Sequence, residues 1–128
     1  MSDAESGHVA SEVSAAEAIA LVGADAGAGA GVSLPGAWLL DVREQDEWDA
    51  GHAPEAHLVP MSVIERRSDE IPDDLRILVI CHSGYRSWQV TKALVAAGYD
   101  AVSVAGGMDA WQSAGGVVVR DGSTPTKA

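Results

Sequence analysis

Residues 77–86 of the chain read Ile77-Leu78-Val79-Ile80-Cys81-His82-Ser83-Gly84-Tyr85-Arg86. The first four residues are apolar, and three of them are β-branched. A short run of this kind predicts a strand that is buried on both faces, as is usual in a parallel sheet. The strand ends at Cys81, which is the only cysteine in the sequence of 128 residues.

An amphipathic helix is predicted directly after this strand. Val90, Ala93, Leu94 and Ala97 recur at the spacing i, i+3, i+4, i+7, and Gly98 is placed to end the helix. The cysteine is therefore expected in the turn between the carboxyl end of a strand and the first turn of a helix. In open α/β sheets, ligands bind at this edge.

The predicted turn favours anions. Unpaired N–H groups and the positive end of the helix dipole face its centre, Gly84 permits a positive φ that turns N–H groups inward, and Arg86 adds a fixed positive charge. Such surroundings stabilise a thiolate, the nucleophilic form of cysteine. The alternative is a structural cysteine packed as a small hydrophobe, which the polar neighbours His82 and Ser83 make less favourable.

Composition excludes several classes of function. The formal net charge is −11 with eight basic residues, which argues against binding to nucleic acid or an anionic membrane surface. A single cysteine excludes an internal disulfide, a cysteine-based zinc site and an internal resolving thiol. The chain begins without the basic and apolar regions of a signal peptide, and no apolar run approaches membrane-spanning length. We therefore expect a cytoplasmic protein without a cofactor. The sequence does not determine the oligomeric state, for which a monomer is the default expectation.

The length suits one domain, which we place at residues 14–120. Residues 1–13 are expected to form a flexible N-terminal segment, and residues 121–128 a flexible tail. Ser14 and Glu17 form a capping-box pattern at the start of a helix over residues 15–22, which Gly23 is predicted to end. The Gly- and Ala-rich stretch 23–36 is predicted to be a surface loop that serves as a tolerated insertion.

Short strands and helices alternate along the rest of the chain. The patterns predict strands at 37–40, 57–59, 77–80 and 101–104, and further helices at 44–50, 62–70 and 108–113. This alternation predicts an α/β sandwich around a mostly parallel sheet.

Two side chains are candidates for the edge of a pocket near Cys81. Asp41 ends its strand on the same side of the sheet, which makes it a candidate for the pocket rim or for hydrogen bonds to loop groups, although a structural role is favoured for it. Trp88 lies two residues after Arg86, which makes it a candidate for the pocket mouth. The other three tryptophans are expected to fill the core.

Other polar residues near these strands are given structural roles. We expect Arg43 and Glu44 to make structural ion pairs with local partners, and His52 to brace its turn by hydrogen bonds. His52 and His57 have no carboxylate or thiol at ligand spacing, so no metal site is predicted.

Three segments of the chain resemble the signature motifs of the single-domain rhodaneses, a family of sulfurtransferases. The first is residues 39–44 with Glu47-Trp48, residues 51–56 and Pro60, and the second is residues 81–87. The third is Gly106-Gly107-Met108 with Trp111 and Gly115-Gly116-Val117. They stand in the family's order and span nearly the whole domain. The resemblance implies a three-layer α/β/α sandwich with about five strands. It also implies that Cys81 is the catalytic nucleophile and that a loop binds the substrate and the persulfide: His82, Ser83, Gly84, Tyr85, Arg86 and Ser87.

The length of the loop separates two chemistries. Cys81 and Arg86 are spaced as Cys-x4-Arg, whereas cysteine phosphatases, including those of similar fold, use Cys-x5-Arg because a tetrahedral phosphate needs a wider ring of donors. Ile80 also stands where phosphatases usually have histidine. These differences favour sulfur transfer over hydrolysis of phosphate esters.

The resemblance implies a reaction in which Cys81 takes a sulfane sulfur from a small anion such as thiosulfate. The resulting persulfide passes its outer sulfur to cyanide, a thiol or a protein acceptor. Two alternatives remain open at this point: an arsenate reductase of the same fold, and a sulfur carrier or regulatory module without fast turnover.

Overall fold

The computed structural model of the protein describes residues 10–27 and 37–120. The strands are β1 (Glu12–Val13), β2 (Ala37–Asp41), β3 (His57–Leu58), β4 (Arg76–Ile80) and β5 (Ala101–Val104). The α-helices are α1 (Ala15–Gly27), α2 (Gln45–Ala50), α3 (Tyr85–Ala96) and α4 (Gly107–Ser113). Two short 3-10 helices cover Met61–Val63 and Ser68–Glu70.

The five strands form one sheet in the order β1-β5-β4-β2-β3, and every neighbouring pair is parallel. Strand β4 lies at the centre of the sheet, with Ile80 opposite Asp41 of β2. The predicted α/β fold with a mostly parallel, five-stranded sheet is confirmed. Since all strands point the same way, the carboxyl ends of β2 and β4 meet at one edge.

Each face of the sheet carries its own apolar core. Leu78 and Ile80 of β4 pack with α1 and α4 on one face, while Ile77 and Val79 pack with α3 on the other. All four side chains are fully buried, which confirms the prediction of a strand covered on both faces. Cys81 continues the alternation and belongs to the core on the α3 side.

Local capping signals confirm two predicted helix ends. The Ser14 hydroxyl accepts the N–H of Glu17, and the Glu17 carboxylate accepts the N–H of Ser14. At the end of α3, Gly98 has φ +97°, and the N–H groups of Gly98 and Tyr99 bond to the carbonyls of Val95 and Leu94. This is the Schellman arrangement, in which a left-handed glycine satisfies the last carbonyls of a helix.

The structure corrects two boundaries near the N-terminus. Glu12 and Val13, placed in the flexible segment, instead form β1 and pair with Ser103 and Val104 at the edge of the sheet. Helix α1 also continues past Gly23 to Gly27. A single glycine costs a helix only about 1 kcal/mol, which the alanine-rich surroundings offset. Residues 1–9, 28–36 and 121–128 lie outside the described residues, and with them most of the predicted 23–36 loop.

The predicted helix over residues 62–70 is wrong. The segment folds as two separate 3-10 turns, with Arg67 between them at φ −114° and ψ 17°. Its apolar residues, Val63 and Ile64, are adjacent and are followed by six polar residues. The segment therefore lacks an apolar face of helical period, and a continuous helix here would not be stabilised by packing against the core.

Candidate active site

Cys81 lies in the turn between β4 and α3, as predicted. Gly84 is the N-cap of α3 and has φ +110°, a left-handed conformation that favours glycine. The N–H groups of Gly84 and Ser87 both donate to the Cys81 Sγ atom, at 3.1 Å and 3.2 Å. Two backbone dipoles are thus fixed on one sulfur, an arrangement that stabilises negative charge there.

Only 1% of Cys81 is exposed. Burial alone would also suit a structural cysteine, but this sulfur is surrounded by polar groups and not only by apolar ones. In addition to the two N–H donors, the hydroxyl oxygen of Ser87 lies 3.5 Å from Sγ. The N–H groups of Gly84 and Ser87 and the hydroxyl of Ser87 thus form a polar pocket beneath the loop, with the sulfur at its base; we call this pocket the cradle.

The first residues of α4 donate hydrogen bonds to the backbone of this loop. Met108 N–H donates to the carbonyl of Cys81 at 2.7 Å, and Asp109 N–H donates to the carbonyl of His82 at 3.1 Å. Gly107 packs so closely against these two carbonyl groups that a Cβ atom there would overlap them. The Gly-Gly motif of the sequence therefore serves to bring a helix N-terminus onto the backbone of the cysteine loop.

Arg86 does not present a free positive charge to the loop. Its Nη1 and Nη2 atoms bind the two carboxylate oxygens of Glu47 in α2, at 2.7 Å and 2.8 Å. The hydrogen bond from Arg86 lowers the pKa of Glu47 from 4.5 to about 2, and the same bond raises the pKa of Arg86. The predicted fixed charge is therefore largely offset by Glu47, and the cradle depends chiefly on N–H groups.

The Glu47–Arg86 pair predicts an acid-sensitive contribution to stability. Because the folded-state pKa of Glu47 is depressed, the stabilisation is fully present above about pH 5 and is lost as the pH falls towards 2. We expect Glu47→Gln, which keeps the shape of the side chain, to lower the free energy of unfolding at pH 7 by about 1 kcal/mol, allowing for solvent screening. Urea unfolding at pH 7 and pH 2 measures the difference.

The control is Glu70→Gln, which breaks the exposed Arg67–Glu70 pair at 2.7 Å and should change stability less, because exposed pairs contribute little. If the wild type and Glu47→Gln still differed at pH 2 as much as at pH 7, the proposed linkage would be wrong.

Asp41 does not line a pocket rim, which corrects its candidate place there and agrees with the structural role favoured for it. Its side chain is fully buried, and its carboxylate accepts hydrogen bonds from the backbone N–H and the guanidinium of Arg43 at 2.8–3.2 Å. A buried carboxylate needs such a partner, and Arg43 turns back to supply it. Arg43 therefore forms the expected local ion pair, and it also donates to the carbonyl of Gly51.

Glu44 and His52 have structural surroundings. Glu44 caps α2 and accepts the hydroxyl of Ser62 at 3.0 Å, so the ion pair expected of it is not the contact it makes. His52 Nδ1 lies 3.0 Å from the carbonyl of Trp48, and the two rings stack at 3.6 Å. These contacts agree with the bracing role predicted for His52.

An open groove of about 1000 Å³ runs beside the cysteine loop. Its lining comes from α2, the loop, α4 and the last described residues: Arg43, Glu47, Ala50, Gly51, His82, Met108, Gln112, Val118, Val119 and Arg120. Of the predicted loop residues, His82 is the one that faces this groove, and its Nε2 lies 3.6 Å from a carboxylate oxygen of Asp109. Tyr85 is 72% exposed, and Ser83 is also exposed.

The burial of the tryptophans agrees only in part with the prediction that they fill the core. Trp111 is fully buried, and its indole N–H donates to the carbonyl of Val117 at 3.0 Å. Trp38 is half-buried, stacks on His57 and packs against the core on the α3 side, whereas Trp48 is half-buried and stacks on His52. Trp88 is half-buried and does not line this groove, and its place at the mouth of a pocket over Cys81 stays a prediction.

Sequence reasoning missed the partners that come from distant segments. Glu47, which binds Arg86, and Ser103, which lies 2.8 Å from Ser87, were not identified as parts of the site. Glu47 belongs to the first of the three motifs, but nothing in its local pattern indicated its partner. Ser103 is a polar residue in an otherwise apolar strand, and this was a usable signal.

Residues 10–27 and 37–120 hold no group of three or more His, Cys, Asp or Glu side chains placed to bind a metal ion. His57 stacks on Trp38, and burial lowers its pKa. Within the same ranges, no helix combines the length and apolar character needed to cross a bilayer.

Comparison with known proteins identifies the family. The family model of the rhodanese-like domain matches residues 17–114. A sulfurtransferase of Allochromatium vinosum is 39% identical over 74 residues, which cover 57% of this chain and 69% of that protein. YrkF of Bacillus subtilis, provisionally named a sulfur carrier protein, is 35% identical over 74 residues, and the match covers 57% of this chain but only 40% of YrkF.

A solved structure leads to the same conclusion. The crystal structure of a rhodanese-related protein from Thermoplasma volcanium superposes with a TM-score of 0.73 at 26% identity, over 87% of this chain and 99% of that one. The resemblance that three sequence motifs indicated is confirmed by sequence and by fold. The chain belongs to the rhodanese-like domain family.

Proposed function

We propose that this protein is a sulfurtransferase that carries a sulfane sulfur as a persulfide on Cys81. The observation that carries the proposal is the pair of N–H groups, from Gly84 and Ser87, that converge on Sγ at 3.1 Å and 3.2 Å. In the proposed reaction, negative charge passes between Sγ and a second sulfur bonded to it. Fixed dipoles stabilise that charge without reorganising during each step.

The chemistry consists of two displacements at sulfur. The Cys81 thiolate attacks the outer sulfur of thiosulfate, the S–S bond of the donor breaks, and sulfite leaves with the electron pair. An acceptor thiolate or cyanide then attacks the outer sulfur of the persulfide, and Cys81 leaves as the thiolate. Since the chain has one cysteine, discharge goes to a group outside the chain, and the kinetics are ping-pong.

The six-residue loop from Cys81 to Arg86 supports sulfur as the transferred group. A loop this short leaves room above Sγ for one further atom more readily than for a tetrahedral oxyanion. The 1% exposure of Cys81 agrees with a donor that presents a slim terminal sulfur. The same features make hydrolysis of phosphate esters and reduction of arsenate weaker proposals.

A second candidate is a sulfur carrier that is loaded by another persulfide instead of by thiosulfate. Glu47 offsets the charge of Arg86, and the formal net charge of the chain is −11. Both features disfavour the approach of a small dianion. A donor with less negative charge near its outer sulfur, such as a thiol persulfide, would be repelled less.

Intact-mass measurement of the full chain tests the proposal directly. We expect incubation with thiosulfate, or with glutathione persulfide, to add the mass of one sulfur atom to Cys81, and cyanide to remove it. Loading by the persulfide but not by thiosulfate would support the carrier. A protein that gains no sulfur from either donor, although its cysteine can still be alkylated, would contradict both candidates.

A further inference from the structure

A chain of buried hydroxyl groups leads from Cys81 to the neighbouring strand. Ser87 Oγ lies 3.5 Å from Cys81 Sγ, 3.2 Å from the carbonyl oxygen of Gly84, and 2.8 Å from Ser103 Oγ in β5. Ser87 and Ser103 are both fully buried. Most buried hydroxyl groups have hydrogen-bond partners within the protein, so the partners available here constrain where each proton of this chain can lie.

The direction of the hydrogen bond between the two serines follows from counting acceptors. Among the described residues, Ser103 Oγ has one hydrogen-bond partner, Ser87 Oγ, and no second acceptor for its proton. Ser87 has other acceptors, namely the carbonyl of Gly84 and the sulfur. The arrangement that satisfies both groups has Ser103 donating to Ser87, which leaves the Ser87 proton free for another acceptor.

We propose that Ser103 is a positioning residue for the Cys81 thiolate, acting through the hydroxyl of Ser87. In the thiol state, the S–H group donates to Ser87 Oγ, and Ser87 donates to the Gly84 carbonyl. When the thiol proton leaves to solvent, Ser87 turns its O–H towards the sulfur, because a thiolate is the stronger acceptor. The thiolate then has three donors, and Ser103 holds the third in place.

Another buried hydroxyl on the same helix provides a contrast. Thr91 lies one turn after Ser87, is fully buried, and its Oγ1 atom has no hydrogen-bond partner among the described residues. Being near the core on the α3 side is therefore not sufficient to join the network. Thr91→Val replaces this hydroxyl with a methyl group of similar shape, which makes it a matched control for the loss of a buried hydroxyl.

Other charged groups surround the loop, and the proposed test leaves all of them in place. On the elements packed around it they are Asp41 at the end of β2, Arg43 just after β2, Glu47 in α2, His82 in the loop, Arg86 in α3 and Asp109 in α4. Arg86 and Cys81 interact electrostatically. A change in cysteine reactivity caused by Ser103→Ala therefore reflects the hydroxyl chain and not a changed charge.

The inference rests on the proposed role of Cys81, and its test does not require sulfur transfer. The rate of alkylation of Cys81 by iodoacetamide, followed by intact mass from pH 5 to pH 10, reports the thiolate population. We expect Ser103→Ala to slow alkylation at pH 7 about two- to fivefold and to move the pH profile of alkylation to higher pH. The reason is that the hydrogen bond from Ser103 polarises the Ser87 hydroxyl, which strengthens the hydrogen bond from Ser87 to the thiolate by a fraction of its energy. Thr91→Val should leave the profile unchanged.

The decisive comparison is between the alkylation rates of the single variant Ser87→Ala and of the double variant that carries both Ser87→Ala and Ser103→Ala. Since Ser103 acts through Ser87, the second substitution should have no further effect on alkylation. The double variant removes both partners and leaves no unpaired hydroxyl, so it should fold even if one single variant folds poorly. An equal slowing by Ser103→Ala in both backgrounds, or an unchanged profile in the wild-type background, would overturn the inference. Normal alkylation without sulfur loading would instead contradict the proposed function.

Discussion

Cys81→Ser is expected to abolish sulfur loading while leaving the fold intact. A serine hydroxyl in this position can still accept the N–H groups of Gly84 and Ser87, which now donate to Sγ at 3.1 Å and 3.2 Å. The free energy of unfolding should therefore change by no more than about 1 kcal/mol. A hydroxyl oxygen cannot form the persulfide, so intact mass after incubation with either donor should show no added sulfur.

The control for this variant is Ser113→Ala, which changes an exposed serine at the end of α4. It should load sulfur at the rate of the wild type. Sulfur transfer that persists in Cys81→Ser would disprove the persulfide mechanism outright. Loss of loading together with loss of the cooperative unfolding transition would instead show that Cys81 serves the core, the alternative that its burial allows.

Gly107→Ala is expected to have the largest effect on stability of any single methyl addition in the site. The new Cβ atom would overlap the carbonyl oxygen of Cys81 and lie 2.6 Å from that of His82, and both are backbone atoms that cannot turn aside. Gly107 also has φ +57°, which disfavours alanine. We expect a loss of about 3 kcal/mol or more in urea unfolding. Sulfur loading should also slow, because α4 no longer fixes the loop carbonyls.

Gly115→Ala separates the loss of stability caused by the positive φ from the loss caused by steric overlap of the Cβ atom. Gly115 has φ +90°, but a Cβ atom there would meet nothing within 4 Å. This variant should cost about 1 kcal/mol from backbone strain alone and should leave sulfur loading unchanged. Equal losses of stability in the two variants would show that the close approach of Gly107 to the loop is not what makes glycine necessary there.

Local patterns were sufficient for most elements of the fold. The apolar run 77–80 predicted the central strand, the spacing of Val90 and Leu94 predicted α3, and Gly98 predicted the end of α3. These features depend on residues within a few positions of one another, so a linear sequence displays them directly. The errors arose where a local rule competed with packing: Glu12 and Val13 became a strand because a sheet edge was available to pair with.

The site was predicted only in part for a related reason. Cys81, Gly84 and Ser87 belong to one turn, and the geometry of a strand–turn–helix brings their atoms together without help from elsewhere. The Arg86–Glu47 pair instead joins residues 39 positions apart, and Ser87 meets Ser103 across 16 positions. Asp41 was placed at the correct edge of the sheet, but whether its carboxylate faced solvent depended on Arg43.

The sequence by itself determined the class of fold and the cysteine turn, because hydrophobic period, glycine conformation and loop length are properties of short segments. It indicated the family through the resemblance of three motifs. The tertiary structure alone decided which charges and hydroxyl groups surround the sulfur. Strand β4 lies between β5 and β2, so Ser103 reaches the loop from one side and Glu47 from the side of α2. The order of strands in a sheet is set by global packing, and no local pattern specifies which distant side chains it will bring into contact.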